Sequence, residues 1–101
     1  MKAERQRLDK WLWFARFAKT RSLAARLVAD GHVRVNGKRA EAPAKGLVVG
    51  DVLTVAAAHG TALVRIADLG VRRGPAPEAR LLYVDLSSAD PDDPGAGAEE
   101  V

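Results

Sequence analysis

Apolar positions recur at helical spacing through the first part of the chain. Leu8, Trp11, Leu12, Ala15 and Ala18 fall on one stripe with Phe14 at its edge, predicting a helix over about Arg7 to Arg16. Trp13 and Phe17 fall on the opposite side, beside Lys10 and Arg16. A second stripe, Leu23, Ala24, Leu27 and Val28, predicts a second helix whose Ser22, Ala25, Arg26 and Ala29 look outward. Thr20 suits its N-cap, because a hydroxyl there accepts a bond from an orphan N–H of the first turn. Gly31 supplies the left-handed residue that ends it.

Past Gly31 the period shortens to two. Val33 and Val35 share one face with Arg34 on the other, and Asn36-Gly37 before Lys38-Arg39 is a strong hairpin signal, since both turn residues tolerate positive φ. Pro43 and Gly46 mark a loop. Leu47-Val48-Val49, Gly50-Asp51 and Val52 to Val55 read as extended, tight turn, extended. Ala56 to Gly60 reads as a weak connector, and Thr61 to Asp68 alternates again with Ala62, Val64 and Ile66 on one side. Val71 to Pro75 is a basic loop. Ala76 to Leu82 fits a helical turn started by Pro77 and Glu78, but Leu81 to Val84 fits a strand equally well, and periodicity does not separate them. Met1 to Gln6 is polar and expected to fray. From Ser87 onward Asp, Pro, Gly, Ala and Glu dominate, and this tail is expected to be disordered.

The pattern therefore predicts an α+β protein: two or three short helices packed on a small, mostly antiparallel sheet. A length of 101 residues suits one domain, and 48% hydrophobic residues support a small core. The chain has no cysteine, which removes disulfides, thiolate metal sites and a cysteine nucleophile and suits a reducing cytoplasm. No apolar run approaches a membrane span, and no signal-peptide core follows Lys2 to Lys10.

Charge changes the picture more. The net +3 divides unevenly: residues 1–40 hold eleven Lys/Arg against three Asp/Glu, whereas the remainder holds five against ten. The N-terminal part attracts polyanions and the C-terminal part repels them. Lys19-Thr20-Arg21-Ser22 at a helix N-terminus is a natural phosphate seat, where free N–H groups and the macrodipole reinforce the side chains. Arg26 stands four residues before Asp30 and has an intrahelical ion pair as its plain reading; Arg21 lacks such a partner. Trp13 and Phe17 either cover a later segment of the chain or offer an aromatic platform for an unstacked base.

Catalytic chemistry is sparse. His32 and His59 have no second plausible ligand nearby, and neither a metal motif nor a glycine-rich phosphate loop occurs. The carboxylates before the tail are dispersed and read as surface charges, caps and turns. That reading is preferred for Asp9 too; the alternative has it pairing with a nearby arginine and holding a phosphate-binding face in shape. Thr20 and Ser22 have no adjacent base. The inventory points to a binding protein, with no enzyme activity, metal, cofactor or small-molecule substrate.

Arg7-Leu8-Asp9-Lys10-x-Leu12, then Thr20-Arg21-Ser22-x-Ala24-x-x-Leu27-Val28-x-x-Gly31-x-Val33-x-Val35-Asn36-Gly37, then Pro43 and Gly50-Asp51-x-Leu53-x-Val55, resembles the RNA-binding domain named after ribosomal small-subunit protein four. Within that superfamily, Lys10-Trp11-Leu12-Trp13-x-Ala15-Arg16-Phe17-x-Lys19-Thr20-Arg21 is similar to the bacterial ribosome-associated heat-shock protein fifteen family. Arg72-Arg73-x-Pro75-Ala76-x-Glu78-Ala79-x-Leu81-Leu82-Tyr83 extends the match to about residue 85. The resemblance implies an αL-motif fold with RNA lying over the helical pair. It also implies binding to rRNA of the large ribosomal subunit while that subunit carries peptidyl-tRNA, in rescue or recycling of blocked subunits and the heat-shock response. The RNA-binding candidates it carries over are Arg7, Lys10, Arg16, Lys19, Thr20, Arg21, Ser22 and Arg26. Asn36 and Lys38 follow on the hairpin, and Trp13 and Phe17 are possible base-stacking surfaces. Longer family members carry a basic C-terminal extension, where this sequence has the acidic stretch Asp90 to Val101.

The expected organisation is a flexible N-terminus (1–6), the RNA-binding domain (7–56), a β/helical extension packed on it (57–86) and the acidic tail (87–101), acting as a cytoplasmic monomer without membrane contact. Two alternatives remain: a helix-turn-helix-like DNA-binding protein, and the RNA-binding subunit of an RNA-modifying enzyme.

Overall fold

The computed structural model describes residues 4–57 and 60–86; His59 and the acidic tail lie outside them. A two-residue strand β1 (Gln6–Arg7) leads into α1 (Leu8–Phe14), followed by α2 (Arg21–Ala29), β2 (Val33–Val35), β3 (Lys38–Arg39), β4 (Gly46–Leu47), β5 (Val52–Ala57) and β6 (Gly60–Ile66). A short helix α3 (Ala76–Ala79), a 3₁₀ turn (Arg80–Leu82) and β7 (Tyr83–Asp85) complete the order. β1 pairs with β4, and the other five strands form one antiparallel sheet in the order β3-β2-β5-β6-β7. The α+β expectation is met, and the heptapeptide 76–82 is helical with the strand beginning only at Tyr83. No helix among the described residues is long and apolar enough to cross a membrane.

One face of the five-stranded sheet meets the helices. Val33, Val35, Leu53, Val55, Val64 and Ile66 point inward and join Leu8, Trp11, Leu12, Ala24 and Val28 in a single buried cluster. Their neighbours along each strand point to the other face, as the period of two requires.

Several expectations are corrected. Gln6, assigned to the frayed terminus, pairs with Leu47, and its side chain exchanges two hydrogen bonds with the backbone of Gly70 (2.7 and 2.9 Å). The first helix stops at Phe14, two residues early, because Arg16 adopts a left-handed conformation (φ 67°) and turns the chain. Phe17 is thereby carried back onto the core side instead of lying opposite it. Leu23 was expected in the buried stripe of α2 but is 44% exposed: it sits in the first turn, and the helix buries Ala24 and Val28 fully and Leu27 in part. The "connector" at 56–60 lies mostly in strands: β5 and β6 pair from Val52↔Arg65 to Ala57↔Gly60.

The segment after β6 is stitched to the N-terminal half. The Trp11 indole N–H donates to the Asp68 carbonyl (3.0 Å), Arg16 Nε donates to the Gly74 carbonyl (2.8 Å), and Gly70 lies against Phe14. A Cβ on Gly70 would sit 2.4 Å from Phe14 Cδ2, so only glycine allows this approach. Arg72 makes a two-pronged pair with Glu78 that shapes the basic loop (3.1 and 2.8 Å).

Candidate nucleic-acid interface

The two leading helices meet at a carboxylate. Asp9, 3% exposed, takes two hydrogen bonds from Arg7, Nε to Oδ1 (3.1 Å) and Nη2 to Oδ2 (3.0 Å). Arg21 Nη2, from the first residue of α2, lies 3.7 Å from Asp9 Oδ1. One buried anion therefore holds two guanidinium groups side by side, each still about half exposed (50% and 43%). This overturns the preferred reading of Asp9 as a surface charge, and Arg21 does have an acidic partner, on the other helix. Two cations on one anion leave a net positive cluster.

The start of α1 is fixed from below. The N–H groups of Leu8 and Asp9 donate to the carbonyls of Lys45 and Pro43 (2.9 and 3.1 Å), so the loop at 43–45 satisfies donors that a helix leaves orphaned. Across the gap, Thr20 is the N-cap of α2, its Oγ1 accepting the Leu23 N–H (3.1 Å). Lys19, Thr20, Arg21 and Ser22 are all exposed around that cap. Arg26 shares one side of α2 with Ser22, four residues away, and is exposed. Its anticipated pair with Asp30 is not formed: no carboxylate oxygen among the described residues lies within 4.0 Å of it, nor of Lys10 or Lys19.

The other candidates divide. Lys10 Nζ stands over the Phe14 ring (5.6 Å to its centroid), whose face stacks on Trp13 (5.4 Å, 28°). Trp13 remains partly exposed beside this cation. Phe17 does not form a platform with it: its ring packs on Trp11 (6.0 Å) and Tyr83 (5.2 Å), so it covers a later segment. Arg16 is drawn toward Gly74. Asn36, at φ 52°, is a turn residue with both side-chain groups engaged: Nδ2 donates to Asp51 (3.2 Å) and Oδ1 accepts the Val52 N–H (2.9 Å). Lys38 is exposed and, with Lys45, lines a shallow depression beside the hairpin.

Residues 6–53 match the model of the S4 domain. The heat shock protein 15 homolog of Haemophilus influenzae is 42% identical over 83 residues, covering 82% of this chain and 63% of the relative. The small ribosomal subunit protein uS4 of Phytoplasma mali is 43% identical over 49 residues, 48% of this chain and 25% of its own. A trimeric structure of Vibrio cholerae heat shock protein 15 superposes with a TM-score of 0.76 at 45% identity, covering 81% of this chain and 82% of that one. The chain belongs to the heat shock protein 15 family. It spans 62 to 63% of the length of the curated heat shock protein 15 relatives it matches.

In this heat shock protein 15 family member, the feature that residue-by-residue reading undervalued is Asp9. Its signal was the Arg7-x-Asp9 spacing, but only the fold brings Arg21 to the same carboxylate. Burial alone pushes the Asp9 carboxyl up; the hydrogen bonds and charge of Arg7, the Lys10 N–H and the charge of Arg21 outweigh it and hold the group below the usual carboxylate range. The same contact raises Arg7. A carboxyl depressed in the folded state contributes stability that is present above its unfolded pKa and lost as pH falls through the folded value. Asp9→Asn is therefore expected to lower stability by about 1–2 kcal/mol at neutral pH, discounted because both arginines are half in water. It should also flatten the loss of stability below about pH 4. Urea midpoints of both proteins between pH 7 and pH 3 check this; parallel acid profiles would mean Asp9 is not the coupled group.

Proposed function

We propose that this chain is an RNA-binding, ribosome-associated factor that grips rRNA of the large ribosomal subunit through the α1–α2 face while that subunit carries peptidyl-tRNA. Its work is binding in the cytoplasm, in the rescue or recycling of blocked subunits and the heat-shock response. The reading is carried by one observation: two half-exposed guanidinium groups held by a single buried carboxylate at the junction of two helices. Exposed Lys19 and Arg26 and partly buried Lys10, none with a carboxylate partner among the described residues, extend the same basic unit.

Such an arrangement suits phosphates. Arginines fixed in advance make bidentate, charge-assisted bonds at little further entropic cost. Thr20 and Ser22 hydroxyls and the first turn of α2 add donors. Trp13 supplies a ring edge for a splayed base. These contacts position RNA by shape and charge without reading its sequence. In this reading residues 7–56 hold the RNA and 57–86 brace them, and because every cation comes from one chain, a single copy carries the whole surface.

Sedimentation of the protein with ribosomal subunits tests the proposal. It should travel with the large subunit, and more of it when the subunit carries peptidyl-tRNA. Equal binding to both subunits, or to duplex DNA and structured rRNA at one salt concentration, would overturn it.

A further inference from the structure

The face of the five-stranded sheet turned away from the helices has a composition the rest of the molecule does not explain. Register places Arg39, Arg34, Thr54 and Leu63 in one row across β3, β2, β5 and β6, and Val52, Arg65 and Val84 in a second across β5, β6 and β7. Arg34, Arg39, Arg65 and Val84 are exposed; Val52, Thr54 and Leu63 are half-buried. Among the described paired strand positions of this face three are arginine and none is acidic, with Glu41 lining the hairpin depression beside Arg39, although residues 41–101 as a whole hold ten carboxylates against five cations. Among the described residues no carboxylate oxygen lies within 4.0 Å of any of the three.

Two of them repel. Arg34 and Arg39 are directly cross-strand partners, an arrangement that disfavours like charges. The Arg39 guanidinium lies over Gly31, where a Cβ would come within 2.8 Å of it. Arg65 stands two strands and two residues from Arg34, about 12 Å away by sheet geometry. A chain of phosphates reaches all three, and at a spacing close to the Debye length of about 10 Å in 0.1 M salt it feels them as one field. The side chains between them, Val52, Thr54 and Leu63, are uncharged, so nothing on these rows repels a phosphate backbone.

We infer that the outer sheet face is a second RNA-binding surface, which tracks the phosphodiester backbone of a single-stranded segment on the side of the molecule opposite the helical pair. The inference rests on the proposed RNA function and deepens it: the protein grips RNA from two sides of one sheet.

The test uses the full chain and an unstructured oligouridylate, with affinity measured by fluorescence anisotropy across a salt series. Arg34→Gln with Arg65→Gln removes charge without reversing it and leaves every core contact in place. It should weaken binding about tenfold and reduce the slope of log affinity against log salt by about 1.4, two phosphate contacts on a single strand. Lys10→Glu with Lys19→Glu is measured in parallel, and all four substitutions together should lose more than either pair. Unchanged affinity and slope in the Arg34/Arg65 variant would overturn the second surface and leave the helical reading standing. Loss confined to that variant would support the sheet and sink the helical face. Polyglutamate binding as tightly as oligouridylate, and lost with the same two arginines, would overturn the inference in favour of an acidic protein.

Discussion

Replacing Trp11 by alanine is expected to cost about 3–5 kcal/mol, the range for truncating a large buried aromatic. Trp11 has no exposed surface. Its ring stacks on Phe17 and meets the edge of Tyr83 (6.3 Å, 69°), and its N–H holds the Asp68 carbonyl. It therefore joins three parts of the chain: α1, the turn after it, and the segment that follows β6. Alanine would open a cavity at that junction and leave the Asp68 carbonyl without its indole donor. Domains of this size have a total stability of about 5–15 kcal/mol, so the change consumes a large fraction of it. At about 4–8 °C per kcal/mol, the thermal midpoint should fall by roughly 12–40 °C. Trp11→Phe keeps most of the packing and loses the hydrogen bond, so it should fall far less. A shift of only a few degrees for the alanine variant would mean that the C-terminal segment is not anchored through this ring.

Much of this architecture is legible in the residues, and what is not has a common cause. The stripe of α1, the Ala24–Val28 spacing of α2, the Asn36-Gly37 turn and the alternation of β2, β5 and β6 are local signals that the packing keeps. Phe17 shows where local reading fails. Continuing the helical period puts it opposite Trp11, but Arg16 takes a left-handed conformation without being glycine, and Phe17 folds back to stack on Trp11. Asp9 shows the same for the site. Its pairing with Arg7 is two residues away and could be weighed, whereas the approach of Arg21 depends on how two helices dock. Gly70 carries no local signal of its task; its lack of a side chain matters only because Phe14 arrives from α1. The residues between 76 and 85 satisfied two periods at once, and the molecule uses both in succession. The separation of charge between the two halves was plain in the residue order. That Arg34, Arg39 and Arg65 gather on one bare sheet face followed only from strand register.

Reversing Lys10 and Lys19 to glutamate is expected to weaken binding to structured rRNA by on the order of a hundredfold near 0.1 M salt, since each reversal removes a phosphate contact and adds a repulsion. These two lysines make a cleaner test than Arg7 or Arg21, whose guanidinium groups also complete the buried Asp9 cluster. A glutamate at position 21 would face Asp9 and disturb the junction of the helices, confusing lost binding with lost structure. Lys10 and Lys19 have no carboxylate partner among the described residues. Lys10 gives up its position over Phe14, about 0.5–1 kcal/mol at such a site, so the circular dichroism spectrum and thermal midpoint should remain near those of the parent. The slope of log affinity against log salt should fall by nearly 2, because phosphates in folded RNA release counterions much as duplex DNA does. A variant that keeps its fold, its affinity and its salt slope would show that the α1–α2 face is not where the phosphates lie.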